Sequence, residues 1–311
     1  FRTGYKKIFS YPRDYNIDKN VIEMLFFIVL RAKNRRVESL FASTKIREKN
    51  YYWYYFGAFR KEPSILVIET DIKNPEIFLL TMAINLRLSD FKTISPVSDD
   101  EFIELLNLYD FSIEDLLLIL TANKTIVEVL HIITENGSIY FSSLVRKTEG
   151  LEPTPSYRDL DEITSILHGL DICEIKYDKI KFDKILQIKK VILPIKDLDF
   201  EYLRRLRKKF NGKFEIIKAK IKESLISDIK NFSYVDNLVN FSKYLTEKRY
   251  RELIQKVYNS TIVNLSSLEE DYEDALDELI KKDILDEIDK KVYVKFLPKI
   301  EIYDLTSGNV K

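Results

Sequence analysis

KTIVEVLHIITENGSIYFSSLVRKTEGLEPTPSYRDLDEITSILHGLDICEIKYDKIKF, residues 124–182, decides the fold. Ile126, Val129, Leu130 and Ile133 recur at helical spacing, and Asn136-Gly137 supplies a helix stop. Ser138 to Phe141 is too short and too β-favouring for a helix and reads as an extended piece. Ser142 to Lys147 forms a second, short helix. After Pro153 and Pro155, Ser156 caps a third helix whose inward side carries Leu160, Ile163, Leu167 and Leu170. Residues 172–177 and 179–182 then alternate about Asp178 as a β-hairpin.

Helix, strand, helix, helix, hairpin is the order of a winged helix-turn-helix. The order recurs at 249–296. Tyr250, Leu253, Ile254 and Val257 mark a first helix, 262–265 a short strand, and Ser266-Ser-Leu268 the start of a second helix. Ala275, Leu276, Leu279 and Ile280 lie on a third, and 284–288 pairs with 292–296 around Asp289-Lys290-Lys291. A tandem of winged-helix units is therefore expected.

Working towards the N-terminus, residues 17–48 read as helical from Ile22, Leu25, Phe26, Val29 and Leu30. The aromatic run Tyr51 to Phe56 reads as a buried strand, with Trp53 and its alternates inward. Ile65 to Ile68 reads as a strand covered on both faces, and 77–88 as a helix. Ser98 with Glu101, and Ser112 with Asp115, open two further helices. The expected fold is α-rich α+β. It divides into a basic aromatic region (1–64), a small lid-like region (65–123), the first winged helix (124–197), basic connecting helices (198–248) and the second winged helix (249–305).

The 311-residue chain carries 50 Lys and Arg against 50 Asp and Glu. A polyanion binder driven by overall charge is excluded, but local charge is uneven. Residues 1–61 hold 14 basic and five acidic side chains, and 204–222 hold nine and one. Residues 269–289 hold eleven acids against Lys281 and Lys282. One Cys and two His leave no disulfide framework and no Cys-rich or His-cluster metal site, so no cofactor is expected. Met24 to Leu30 is the longest apolar run of the N-terminal part, far short of the roughly 20 residues of a membrane span. No signal-peptide pattern opens the chain, and a soluble cytoplasmic protein without a membrane partner is expected. Two Gln beside abundant Lys, Glu, Ile and Tyr resemble a hyperthermophile's composition, which an AT-rich genome also produces.

Residues 65–182 resemble the second half of archaeal ATPases of the AAA/STAND kind, through 65–71, 95–106, 120–124 and the winged helix that follows. The resemblance implies a helical lid ahead of a winged helix. No G-x-x-x-x-G-K-[ST] occurs, so the glycine-opened phosphate cradle is missing and nucleotide hydrolysis is not implied. Lid and tandem winged helices are also similar to parts of replication initiators and CRISPR interference complexes.

The leading functional expectation is non-catalytic nucleic-acid binding, with DNA ahead of RNA. A third winged-helix helix enters the major groove by its N-terminal end, here Tyr157 and Arg158, with Arg146 and Lys147 on the preceding helix. Lys176, Lys179 and Lys181 of the wing suit phosphates, as do Arg204, Arg205, Arg207, Lys208 and Lys209. The last group lies opposite an apolar side of Phe200, Leu203, Leu206 and Phe210. Arg31, Lys33, Arg35 and Arg36 beside the tyrosines form a further patch, suited to stacked single strands. Glu269, Glu270, Asp271, Glu273, Asp274, Asp277 and Glu278 make the second winged helix a poor phosphate binder and point to a protein partner. An adaptor with scaffold winged helices, and an ATPase-derived subunit without nucleotide, are the alternatives. Glu69, Asp71 and Lys73 have a spacing some metal nucleases use but lack a partner acid, and His131, His168 and Cys173 read as structural.

Overall fold

The computed structural model describes residues 17–34, 40–46, 48–59, 62–70, 75–88 and 113–306. In chain order the elements are α1 (Lys19–Asn34), β1 (Leu40–Ile46), β2 (Lys49–Phe59), β3 (Glu62–Glu69), α2 (Pro75–Leu88) and α3 (Ile113–Thr121). Next come α4 (Lys124–Asn136), β4 (Ser138–Tyr140), α5 (Phe141–Thr148), α6 (Tyr157–Gly169), β5 (Cys173–Asp178), β6 (Asp183–Ile188) and β7 (Lys190–Asp197). The remainder is α7 (Phe200–Lys209), α8 (Phe214–Asn231), α9 (Tyr234–Thr246), α10 (Lys248–Ser260), β8 (Val263–Asn264), α11 (Ser266–Lys281), β9 (Leu285–Ile288), β10 (Lys291–Val294) and β11 (Leu297–Asp304). Helices with small antiparallel sheets make an α-rich α+β fold. The capping box expected at Ser98 lies outside the described residues.

The chain forms two compact units, 1–120 with 149–170, and 121–148 with 171–311. This cuts across the expected segment 124–197, because α6 belongs to the first unit. There Glu162 accepts a hydrogen bond from the Tyr54 hydroxyl, and α6 packs on α2. Gly169 permits that approach, since a Cβ would stand 2.8 Å from the Ile77 side chain.

The first unit is built on the antiparallel sheet β1-β2-β3. Tyr51, Trp53 and Tyr55 share the inward face of β2 with Val21 and Leu25 of α1. Tyr54 points the opposite way and is buried too. Helix ends at Asn34, and the expected helix over 17–48 becomes a strand from Leu40. Ser43 and Lys45 are exposed while Ala42 and Ile46 pack on the core, a period of two that a helix cannot satisfy. β3 is an edge strand, with residues 65–69 half-buried instead of covered on both faces.

The second unit contains two sheets of one design. Their strand orders, β4-β6-β5 and β8-β10-β9, correspond position by position. Cys173↔Ile188 through Lys176↔Ile185 in one hairpin match Leu285↔Val294 through Ile288↔Lys291 in the other. Both first helices end in a left-handed residue, Gly137 at φ 63° and Thr261 at φ 68°. Both hairpins are entered through a left-handed Asp, Asp171 at φ 58° and Asp283 at φ 60°. The Ile172 carbonyl accepts from the amides of Lys189 and Lys190, and the Ile284 carbonyl from those of Lys295 and Phe296. In α11, Tyr272 leaves helical geometry at φ −138°, so this element is two helices joined at a kink.

Each hairpin runs on into a strand, and these two strands, β7 and β11, pair antiparallel. Pro194 faces Ile300, which is also its counterpart when the hairpins are matched, so a local two-fold axis passes through that pair. α9 packs on this ribbon, on α4 and on α10. Tyr202 and Leu206 of α7, with Phe210 just after it, share a core with Phe241 and Tyr244 of α9, Tyr250 and Leu253 of α10, and Leu276 and Leu279 of α11.

Candidate nucleic-acid interface

The first hairpin differs from the second in its tip. Asp289 and Lys290, both at positive φ (53° and 57°), close the second in a two-residue turn. Residues 177–184 occupy the same place in the first. They add the ladder pairs Tyr177↔Lys184 and Asp178↔Asp183 and a turn at 179–182. The expected second strand over 179–182 is therefore a turn, and the strand is β6. The Asp178 carboxylate causes the turn: it accepts from the amides of Ile180 (2.8 Å) and Lys181 (3.1 Å). With the Tyr140 hydroxyl also donating (2.9 Å), these bonds hold its carboxyl below the usual Asp range.

Lys179 and Lys181 are exposed on this tip, and the Lys181 ammonium lies 4.2 Å from the centre of the Tyr140 ring. Ile180 and Phe182 are 89% and 80% exposed. Lys176, lower on the hairpin, contacts Glu174 and Gln187, each at 3.0 Å.

Arg204, Arg207, Lys208 and Lys209 of α7 are exposed, and among the described residues no ion pair engages them. Asp199 starts this helix by accepting from the amides of Glu201 and Tyr202. The three cations of the last turn complement the helix dipole. Arg205 is different, because its guanidinium lies over the rings of Tyr202 (5.4 Å) and Tyr258 (5.0 Å). Phe200 departs from the expected apolar side, being 74% exposed.

Arg146 and Lys147 are exposed at the end of α5, where Lys147 donates to the side-chain amide oxygen (Oδ1) of Asn136 at 3.0 Å. In the first unit Tyr157 is exposed at the start of α6, behind the Ser156–Asp159 capping box. Arg158 turns back to Glu162 at 2.9 Å and is half-buried, so it is held inside its own helix. Arg31 and Lys33 fall on α1, while Arg35, Arg36, Asp71 and Lys73 lie outside the described residues. Glu69 pairs with Lys49 at 2.6 Å.

On α11, Glu273, Asp274 and Asp277 are exposed. Glu278 faces inward, contrary to its place in the acidic list. Lys243 donates to its two oxygens at 3.0 and 3.1 Å, and the Tyr244 and Tyr250 hydroxyls donate as well. Burial alone would raise this carboxyl, but the Tyr250 and Lys243 bonds outweigh it and hold the value below the usual range.

Cys173 is buried, and burial pushes its thiol up to about 12. His131 stacks on Tyr234 with ring centres 5.0 Å apart. Among the described residues no group of three or more His, Cys, Asp or Glu is placed to hold a metal ion, and no helix is long and apolar enough to cross a membrane. Comparison of the chain with models of protein families, with curated proteins and with solved structures finds no match.

Proposed function

We propose that this chain is a non-catalytic nucleic-acid-binding protein whose two repeats are winged helices. Duplex DNA is contacted through the first hairpin and the exposed side of α7. The observation that carries the reading is local. In a chain of zero net charge, Arg204, Arg207, Lys208 and Lys209 are exposed on one short helix with no acidic partner among the described residues. Lys179 and Lys181 add a second cluster on the hairpin tip. Cations left in solvent suit the regular charge of a phosphate backbone, and phosphate contacts release counterions. Arg146, Lys147 and Tyr157 are secondary candidates; Arg158 and Arg205 support the fold.

The exposed Glu273, Asp274 and Asp277 give the second repeat a different partner, a basic protein surface, since they would repel phosphate. DNA on one repeat and protein on the other fit a cytoplasmic nucleoprotein complex of the kind used in replication initiation, regulation or CRISPR-type defence. Residues 65–123 contain no G-x-x-x-x-G-K-[ST] and are assigned no nucleotide chemistry.

Fluorescence anisotropy with labelled duplex and single-stranded probes at 50 and 200 mM salt tests this. Affinity for duplex should fall steeply between the two salts, by about tenfold or more for several phosphate contacts. A chain that binds neither probe at 50 mM salt would leave the adaptor reading in its place.

A further inference from the structure

We propose that the tip of the first hairpin is an apolar wedge. Ile180 and Phe182 enter a base step of duplex DNA from the minor groove, while Lys179 and Lys181 hold the flanking phosphates. The inference rests on the duplex-binding reading above and adds to it a mode of binding and a preferred substrate.

The second repeat serves as an internal control. It closes an equivalent sheet with Asp289 and Lys290 alone. The eight residues 177–184 are therefore more than a closed hairpin requires. What they add is unusual for a solvated loop. Ile180 and Phe182 are left in water at 89% and 80% exposure, and Tyr177 at 59%. Phe182 also sits at φ 53°, a left-handed conformation that favours Gly, Asn or Asp. A bulky aromatic group is thus present where the backbone disfavours it and where no packing rewards it.

The tip is also shaped and charged for this use. Its two acids turn inward: Asp178 binds the turn amides, and Asp183 accepts from the amides of Ser142 (3.2 Å) and Lys184 (2.8 Å). The outward surface is left with apolar groups and Lys179 and Lys181. Two extra ladder pairs lengthen the hairpin by about 7 Å at the usual rise per residue, which matches a minor groove roughly 7.5 Å deep. The Asp178 bonds fix the turn before binding, so little order is lost on insertion. Apolar wedges of this kind unstack a base step and kink the duplex. Pyrimidine–purine steps unstack most readily, so the favoured substrate is a duplex with a TA or CA step.

The test uses the full chain and a duplex of about 30 base pairs carrying a central TA step, a neighbouring 2-aminopurine and a dye at each end. Binding of the wild type should raise 2-aminopurine fluorescence and bring the dyes closer. Ile180→Ser with Phe182→Ser should retain duplex binding within about tenfold and lose both signals. A second variant, with 177–184 replaced by the Asp-Lys turn of the second repeat, also lacks Lys179 and Lys181; it should lose both signals and bind duplex more weakly, with a salt slope lower by about two. Binding without either signal overturns the wedge while leaving duplex binding intact, as does a double variant that keeps both signals. Absence of binding in anisotropy overturns duplex recognition itself, and the wedge with it. Vesicles of 30% phosphatidylserine are the second arm. Capture by them, lost in the double variant and without duplex unstacking by the wild type, would assign the tip to a lipid surface and overturn the wedge.

Discussion

Replacing Tyr202 by Phe should destabilise the second repeat without touching a charged group. Tyr202 is 3% exposed, and its hydroxyl oxygen accepts from the Val294 amide at 2.8 Å. The same hydroxyl donates to the Thr261 carbonyl at 2.7 Å. The first repeat shows what this replaces, because there the equivalent amide, Ile188, donates directly to the Gly137 carbonyl at 2.9 Å. The Tyr202 oxygen has thus been inserted into a backbone hydrogen bond, tying α7 to the sheet of the second repeat. Phe would keep the ring, its stacking on Tyr258 at 5.1 Å and its place beneath Arg205. Only the bridging oxygen would go.

Two buried backbone groups would then lose their partner, at about 1–3 kcal/mol each. If Val294 and Thr261 closed on each other as in the first repeat, the net loss would shrink to about 1 kcal/mol. The two carbonyl-to-amide paths differ by a whole oxygen atom, and a packed core closes such gaps only in part. A cost of about 2–4 kcal/mol follows. Hydrogen exchange of the Val294 amide, read beside urea unfolding, is the direct assay. Protection of that amide should fall by about 30-fold or more, since 1.4 kcal/mol is a factor of ten. Burial raises the Tyr202 hydroxyl well above its ordinary value, so the effect should be independent of pH below 9 or so. Val294 protection and a urea midpoint both equal to wild type would refute the reasoning, whereas a shift near 1 kcal/mol would show that the strands close.

Other outcomes follow from the same contacts. Lys189 and Lys190 hold the Asp171 carboxyl down to about 2, below its unfolded value near 3.9, so its contribution is complete above about pH 4 and lost as pH falls towards 2. Asp171→Asn, which keeps a residue tolerant of φ 58°, should flatten the acid limb of the unfolding midpoint; an unchanged limb contradicts this assignment. Arg207→Ala and Lys208→Ala should each lower the slope of log affinity against log salt by about one. Arg205→Ala should leave that slope alone and lower the melting temperature, because its guanidinium covers two rings; the reverse pattern in a salt titration would count against both roles. Asp274→Lys with Asp277→Lys should leave duplex affinity unchanged or raise it, and a clear loss by anisotropy with the fold intact would make α11 a DNA-contacting element.

Much of the architecture is legible in local sequence, and the exceptions have physical causes. The helices α4 to α6 and α10 are readable because each carries a helical apolar stripe, reinforced by the Gly137 stop of α4 and the Ser156 cap of α6. β1 is missed because its Leu40-Phe-Ala run continues an apolar helix without a strong breaker. Ile180 and Phe182 alternate like a strand, but a side-chain acceptor two residues earlier outweighs the pattern. β7 carries Pro194, which argues against a strand in the middle of a sheet. In a two-stranded ribbon both strands are edges, and the missing donor is tolerated. The site residues divide on the same line. Exposed cations of α7 and the hairpin are visible as composition. Arg205 and Glu278 are committed to Tyr258 and Lys243 on other elements, which no local spacing announces, whereas Arg158 meets Glu162 at i, i+4, a spacing the sequence does show.

The two repeats separate what the backbone needs from what the surface is for. Both keep a left-handed Asp paired with a Lys at the end of the hairpin, Asp171 with Lys189 and Asp283 with Lys295. The clasp survives a large change of setting, since the Lys295 side chain is 5% exposed and that of Lys189 is 30% exposed. A pair retained at both depths serves the shared geometry, holding the left-handed turn through which the hairpin is entered. What differs between the repeats has no such purpose. Position 166 of the first is a buried Ile, while its counterpart Glu278 ties the second repeat's third helix to Lys243 and Tyr244 of α9. That bond fastens one side of α11 to the rest of the unit and leaves its acids, not a reading surface, in solvent. In the first repeat the surplus lies in the hairpin, as cations and bare apolar groups on a braced turn. The chemistry of phosphate and stacked bases can be met by the second of these surfaces and is repelled by the first.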